Sequence, residues 1–151
     1  TKQMAALTSD EVASLTTDQI KSMRGAQFGQ IATANLSSLS TTNIRALSAA
    51  QINGFTTTQL SKLSTTQFVA LTSAAVSGLS TSQISALTTS EVNALLTAQV
   101  GALTGTQIRA FTSAQLAKLT TTNMVDLSAL QVQGFTTDQI KLLSTHSKKL
   151  L

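Results

Sequence analysis

The sequence has no cysteine and no proline. Without cysteine there are no disulfides, no thiolate nucleophiles and no Cys-based metal sites. Tryptophan and tyrosine are absent too, and aromatic residues make up only 3% of the chain, so any core must be aliphatic. Charged residues amount to 11%, well under the quarter of an ordinary soluble domain, which argues against charge-driven disorder. A single imidazole, His146, leaves little scope for acid–base or His-based metal chemistry. No apolar run reaches the ~18 residues of a membrane span, so no membrane insertion is expected. Neither a leader-like segment nor an initiator Met opens the chain at Thr1, as expected of a processed chain, a fragment or an excised segment.

What fills the 151 residues is a repeat. Large apolar residues recur every eight positions from Leu7 to Leu151 with no insertion or deletion. Eighteen octads run over residues 7–150, with the pattern Leu, Ser/Thr, Thr, any, Gln, Ile/Val, any, small. Position six is apolar in all octads except the last, where Lys148 stands. Position five is Gln, Glu or Asn except at Ala75 and Ser147, and position two is Ser or Thr except at Arg24, Ala32 and Leu96. No linker or shift of composition divides the array, so residues 1–151 read as a single domain.

A continuous α-helix does not fit this spacing. Eight residues turn about 800°, so the apolar seam would drift by roughly 80° per repeat. A plain strand fits no better, because positions one and six have opposite parity and would face opposite sides of a sheet. Short capped helices do fit. Ser/Thr at position two and Gln/Glu at position five make a capping box, and the apolar pair at positions one and six makes a hydrophobic staple. Thr8-Ser9-Asp10-Glu11 between Leu7 and Val12 carries both devices. Charge placement agrees. Five of six acids (Asp10, Glu11, Asp18, Glu91, Asp138) sit at positions four or five, in the first turn. Seven of ten bases sit at positions seven or eight, at the helix end. Both placements suit the helix dipole.

The expected fold is therefore all-α: a solenoid of short capped helices, one per octad, each of about six or seven residues. Such helices are unstable alone and need a shared core. Small residues at position eight should let neighbouring helices cross closely. A β-solenoid with Thr and Gln ladders is the alternative, because Thr, Ile and Val favour strands. The array is least regular from Met23 to Ala34, where two caps are lost and Gly25 and Gly29 intrude. Drift within a tolerant repeat explains this, and a hinge is the other reading.

The strings Leu39-Ser-Thr-Thr-Asn-Ile-Arg-Ala-Leu47 and Leu79-Ser-Thr-Ser-Gln-Ile-Ser-Ala-Leu87 resemble the L-T-T-x-Q-I-x-A-L arrays of large repetitive bacterial secreted and surface proteins. The resemblance covers nearly the whole chain. It implies an extracellular or cell-surface structural or adhesive role, and it brings no catalytic residues. The Leu-Thr-x-x-Gln-Val helix opening is also similar to that of TAL-effector repeats. Those are much longer and carry a base-reading loop that eight residues cannot hold.

Chemistry-bearing motifs are missing. No G-x-S-x-G, P-loop, G-x-G-x-x-G or H-E-x-x-H pattern occurs, and serine without a base is not a nucleophile. Asp10, Glu11 and Asp18 form an acidic group whose helix-start positions already account for it. Lys21, Arg45, Arg109 and Lys141 share position seven and could line one groove, but the net charge of +4 is sparse and aromatics for base stacking are few, which disfavours nucleic acid. A hydroxyl surface for ice would compete with the caps. Asn35-Leu36-Ser37 is a glycosylation sequon. No catalytic, cofactor-binding or metal-binding residue is assigned, and no cofactor is expected. The expected function is non-enzymatic: a structural repeat protein, as filament or surface-layer subunit or adhesin rod, associating end to end. Lys148 and Lys149 read as a polar cap on one end. A solenoid binding module presenting a groove to a protein or glycan is the alternative.

Overall fold

The computed structural model describes residues 2–119, 121–124 and 127–149, with the side chains of 2, 121, 122 and 144–149 outside the description. Among the described residues the chain is a run of short helices without a strand. The first six are α1 (Lys2–Ala5), α2 (Ser9–Ala13), α3 (Thr17–Ser22), α4 (Gly25–Phe28), α5 (Thr33–Leu36) and α6 (Thr41–Arg45). They are followed by α7 (Ala49–Asn53), α8 (Thr57–Leu60), α9 (Thr65–Ala70), α10 (Ser73–Ser77), α11 (Thr81–Ala86) and α12 (Thr89–Asn93). The last are α13 (Thr97–Gly101), α14 (Gly105–Arg109), α15 (Ser113–Leu116), α16 (Thr121–Met124), α17 (Ala129–Val132) and α18 (Thr137–Lys149).

Most of the described octads build their helix in the same way. The position-two residue is extended, as at Thr56 (φ −71°, ψ 158°). Its hydroxyl accepts the position-five N–H at 3.1–3.3 Å, as in Gln59 N to Thr56 Oγ1 and Gln115 N to Thr112 Oγ1. The position-five side-chain oxygen in turn accepts the N–H of position two, at 2.8 Å from Thr56. This is the expected capping box, and it ends the preceding helix by holding the chain extended. At the other end the position-one N–H bonds the position-six carbonyl, as in Leu47 to Ile44 at 3.2 Å. That i→i+3 closure tightens the last turn. Regular helix is therefore four to six residues long in α1–α17, shorter than the six or seven expected, because caps and the tightened turn take the rest of each octad.

Helices three places apart pack together: α4 on α7, α7 on α10, α10 on α13 and α13 on α16, with parallel series from α2 and α3. The chain thus coils with three helices to a coil, and the coils stack. Position-six side chains point into the axis and are 0–1% exposed from Val12 to Leu116. Position-one residues from Ile31 to Leu119 are also buried. Together they form one continuous apolar core, mostly aliphatic as the composition predicts but holding all five phenylalanines, with Phe28 stacked on Phe55 at 5.2 Å. Burying an Ile or Leu at every octad offsets the entropy that makes so short a helix unstable alone.

The octad beginning at Leu143 departs from expectation. No separate helix starts there; the α18 backbone runs through to Lys149. This octad lacks both the glutamine at position five and the apolar anchor at position six, having Ser147 and Lys148. Ala75 shows that losing the glutamine alone is tolerated, since Thr72 still caps α10 above a buried Val76. The missing anchor is the departure that no other octad shares. The side chains of Lys148 and Lys149, read as a polar cap, lie outside the described residues.

The irregular stretch from Met23 to Ala34 continues the array. Arg24 has no capping hydroxyl, yet Gln27 Oε1 still accepts its N–H at 2.7 Å. Ala32 has no side-chain cap, and α5 forms over buried Leu36.

Candidate functional site

Two features could carry function: the polar groups between coils and the recesses on the outer surface. Between coils runs a ladder of side-chain amides. The last carbonyls of a helix have no partner within it. Here a glutamine from the next coil meets them, sharing the position-six carbonyl with the position-one N–H and serving the position-one carbonyl by itself. Gln59 Nε2 donates to Phe28 O at 2.9 Å and Ile31 O at 2.7 Å. Gln115 Nε2 donates to Ile84 O and Leu87 O, and Gln131 Nε2 to Val100 O and Leu103 O. Each reaches 28 to 31 residues back. One amide therefore starts its own helix with its oxygen and closes an earlier one with its nitrogen. Asn43 and Asn123 are shorter, and their amides donate to the position-one carbonyls Leu15 O and Leu95 O. The capping role of position five was readable from sequence, but this second role was not, because it spans coils.

Close crossings occur where small residues meet. Gly54 at position eight lies against Gly25 at position three, and Gly134 against Gly105, so that a Cβ on Gly54 or Gly134 would collide with backbone. Gly78 meets Ala49 in the same way. The small residues expected at position eight do permit close approach. Their position-three partners were overlooked, although Gly25 and Gly105 are the only glycines at that position and each precedes its partner by 29 residues.

Shallow recesses flank both glycine crossings. One, of about 350 Å3, is lined by Lys21, Arg24, Gly25, Ser48 and Gln51 among others. The second, of about 340 Å3, is lined by Gly105, Arg109, Leu130 and Gly134. Arg109 Nε donates to Gly134 O at 3.4 Å. Of the position-seven bases, Lys21, Arg45, Arg109 and Lys141 are exposed but are not gathered, and the Lys149 side chain lies outside the described residues. Lys21 and Arg45 lie on α3 and α6, which pack together, whereas Arg109 is on α14 and Lys141 on α18. Lys141 pairs with Asp138 at 3.7 Å.

The acidic group is spent on helix starts. Glu11 Oε2 accepts from both Thr8 N and Thr8 Oγ1, and these bonds, the backbone one foremost, hold its carboxyl below the usual carboxylate range. Asp10 and Asp18 lie in the first turns of α2 and α3. Among the described residues no three His, Cys, Asp or Glu side chains come together as a metal site. The His146 side chain lies outside the described residues. Serine hydroxyls are largely consumed as well: position two caps, and Ser22, Ser37 and Ser61 donate to the carbonyl three residues back. In the sequon, Asn35 Nδ2 donates to Leu7 O at 2.6 Å, which occupies the nitrogen that a glycan would need. No helix among the described residues is long and apolar enough to cross a membrane.

A family model described as the ALTTAQ repeat matches three times, over residues 28–65, 60–97 and 92–129. Together these span 28–129, or 102 of 151 residues. The chain belongs to the ALTTAQ-repeat family. The matches begin 32 residues apart, which is four octads. The six letters are octad positions eight, one, two, three, four and five, met here as Ala94-Leu95-Leu96-Thr97-Ala98-Gln99 with Leu96 in place of a capping threonine. The repeat signature is thus the small crossing residue, the core leucine, the cap and the ladder glutamine. Comparisons with curated proteins and with solved structures returned no match.

Proposed function

We propose that this ALTTAQ-repeat chain is a non-enzymatic structural rod, serving as an extracellular filament or surface-layer subunit or as the stalk of an adhesin, and that it associates end to end. The observation that carries the reading is the amide ladder. Each coil presents donors to the coil before it and carbonyls to the coil after it, so any two coils are complementary. The end coils leave part of this complementarity unused. Val132 and Ile140 are 49% and 51% exposed, whereas position-six residues up to Leu116 are sealed. At the other end Leu7, Leu15 and Met23 are only partly buried, and within residues 1–151 the Gln19 and Gln27 amides meet no carbonyl 28 to 31 positions before them. A second copy stacked head to tail would cover the first set with the second.

Negative-stain electron microscopy and sedimentation of the 151-residue chain over a concentration series test this. Rods of uniform width that lengthen with concentration are expected, and Val132→Asp with Ile140→Asp should shorten them. Monomers at every concentration would remove the end-to-end model.

A binding module is the second reading, favoured by the recess that Lys21 and Arg24 line without an acid. Arg24 occupies a position where fifteen of eighteen octads have Ser or Thr. Discrete particles that bind an acidic glycan or protein, and lose it in Arg24→Ser, would favour this reading over the rod.

A further inference from the structure

At one rung the ladder is built from an acid. Glu91 occupies position five of its octad and is 2% exposed. Its Oε2 does what a glutamine oxygen does elsewhere, accepting Thr88 N at 2.6 Å and Thr88 Oγ1 at 2.9 Å. Its Oε1 stands where every glutamine rung has its donating nitrogen. That oxygen is buried and without a hydrogen-bond partner. By the spacing of the neighbouring rungs, Gln83 and Gln99, the acceptor 28 residues before it is the carbonyl of Leu63. An ionised Glu91 would set an unpaired carboxylate oxygen against carbonyl oxygens, at a high desolvation and repulsion cost. A neutral carboxylic acid has one O–H to donate, and donating it to that carbonyl would repair the rung.

We propose that Glu91 is held as a neutral acid whose Oε1–H donates to the preceding coil in place of a glutamine N–H, making this the one proton-dependent rung of the ladder. Charge around it favours the neutral form. Glu91 forms no ion pair, and the two helices packed on α12, α9 and α15, carry no charged residue. The flanking charges are exposed: Lys118, in a recess with Thr89, Ser90 and Asn93, and Lys62, two residues ahead of the α9 cap. Burial raises the carboxyl above the usual range, and the Thr88 hydrogen bonds oppose this without reversing it. Glu11 provides the internal contrast, with the same cap bonds but an exposed side chain, no coil beneath it and a lowered value.

The sign follows from linkage. A carboxyl with a raised folded-state value lends its full stability below the ordinary glutamate range, and that stability is lost as pH rises through the raised value. The coil contact between α9 and α12 should therefore loosen toward alkaline pH.

The test is thermal unfolding of the full chain and its Glu91→Gln variant between about pH 4 and pH 8. Glutamine restores the rung at every pH, so the variant should match the parent at acid pH and gain on it steadily as pH rises, by about 3 °C or more at the neutral end. A melting gap that does not change with pH, or a variant less stable than the parent at neutral pH, overturns the proposal. So does a gap that closes when sodium or calcium is added at constant ionic strength, since a cation would then be filling the site. Glu11 and Glu91 are the only glutamates, so carboxyl-carbon NMR of glutamate-labelled protein gives two signals. One should titrate above the ordinary range and vanish in Glu91→Gln; two signals at or below that range would also defeat the idea.

Discussion

A single buried glutamine holds three backbone groups in place. Gln59 is 2% exposed, and its amide serves Thr56 N, Phe28 O and Ile31 O. Gln59→Met keeps the volume and removes all three bonds. Thr56 N and Ile31 O are then left unpaired, while Phe28 O keeps the Ile31 N–H. Unpaired buried backbone groups cost about 1–3 kcal/mol each, and relaxation toward water recovers part of that, so a loss of about 2 kcal/mol is expected in urea unfolding. A loss below about 1 kcal/mol would mean that the ladder ornaments the stack and hydrophobic burial alone holds it.

At the scale of one helix, the cap decides where the chain turns. Leu96 stands in a capping position, is 50% exposed and has no capping hydroxyl, while Gln99 Oε1 still accepts its N–H at 2.9 Å. Leu96→Thr should add the missing acceptor and remove an exposed apolar side chain, raising stability by about 1 kcal/mol in the same denaturation measurement. This element was legible in the sequence, because Ser/Thr-x-x-Gln and the apolar residue after it act within a few residues. The stacking of helices three apart was not. In a strict octad array every offset by a multiple of eight presents the same residue types, so periodicity cannot choose among them. The exceptions could have chosen: Gly25 with Gly54, and Gly105 with Gly134, share a spacing that fits three octads to a coil. The second role of position five and the neutral-acid rung at Glu91 were hidden for the same reason, since each depends on which coil lies underneath.

For the whole molecule, register matters more than length. Deleting Leu71–Gly78 removes one octad and keeps every cap and anchor in step, at the cost of setting Ala86 against Ala49, where a Cβ on Gly78 would meet backbone, so a modest fall in melting temperature is expected. Deleting four residues puts caps and anchors out of step on both sides and should abolish much of the helical circular dichroism. The expected order of melting temperature is parent, then the 71–78 deletion, with the four-residue deletion last. Equal effects from the eight- and four-residue deletions would contradict the octad as the structural unit.

Every position-five amide that crosses between coils donates the same way, from the later coil to the earlier one, and the forward bond of Asn53 Nδ2 to Gly78 O lies outside that ladder, at position seven. The stack therefore has a direction, and it is the direction in which a ribosome delivers the chain. A coil that has just emerged finds its acceptors already in place beneath it. The carbonyls it leaves open face water until the next coil arrives. Construction from the other end would begin by burying donors with nothing to receive them. A chain of this kind can be assembled in the order of its synthesis, one course of masonry at a time.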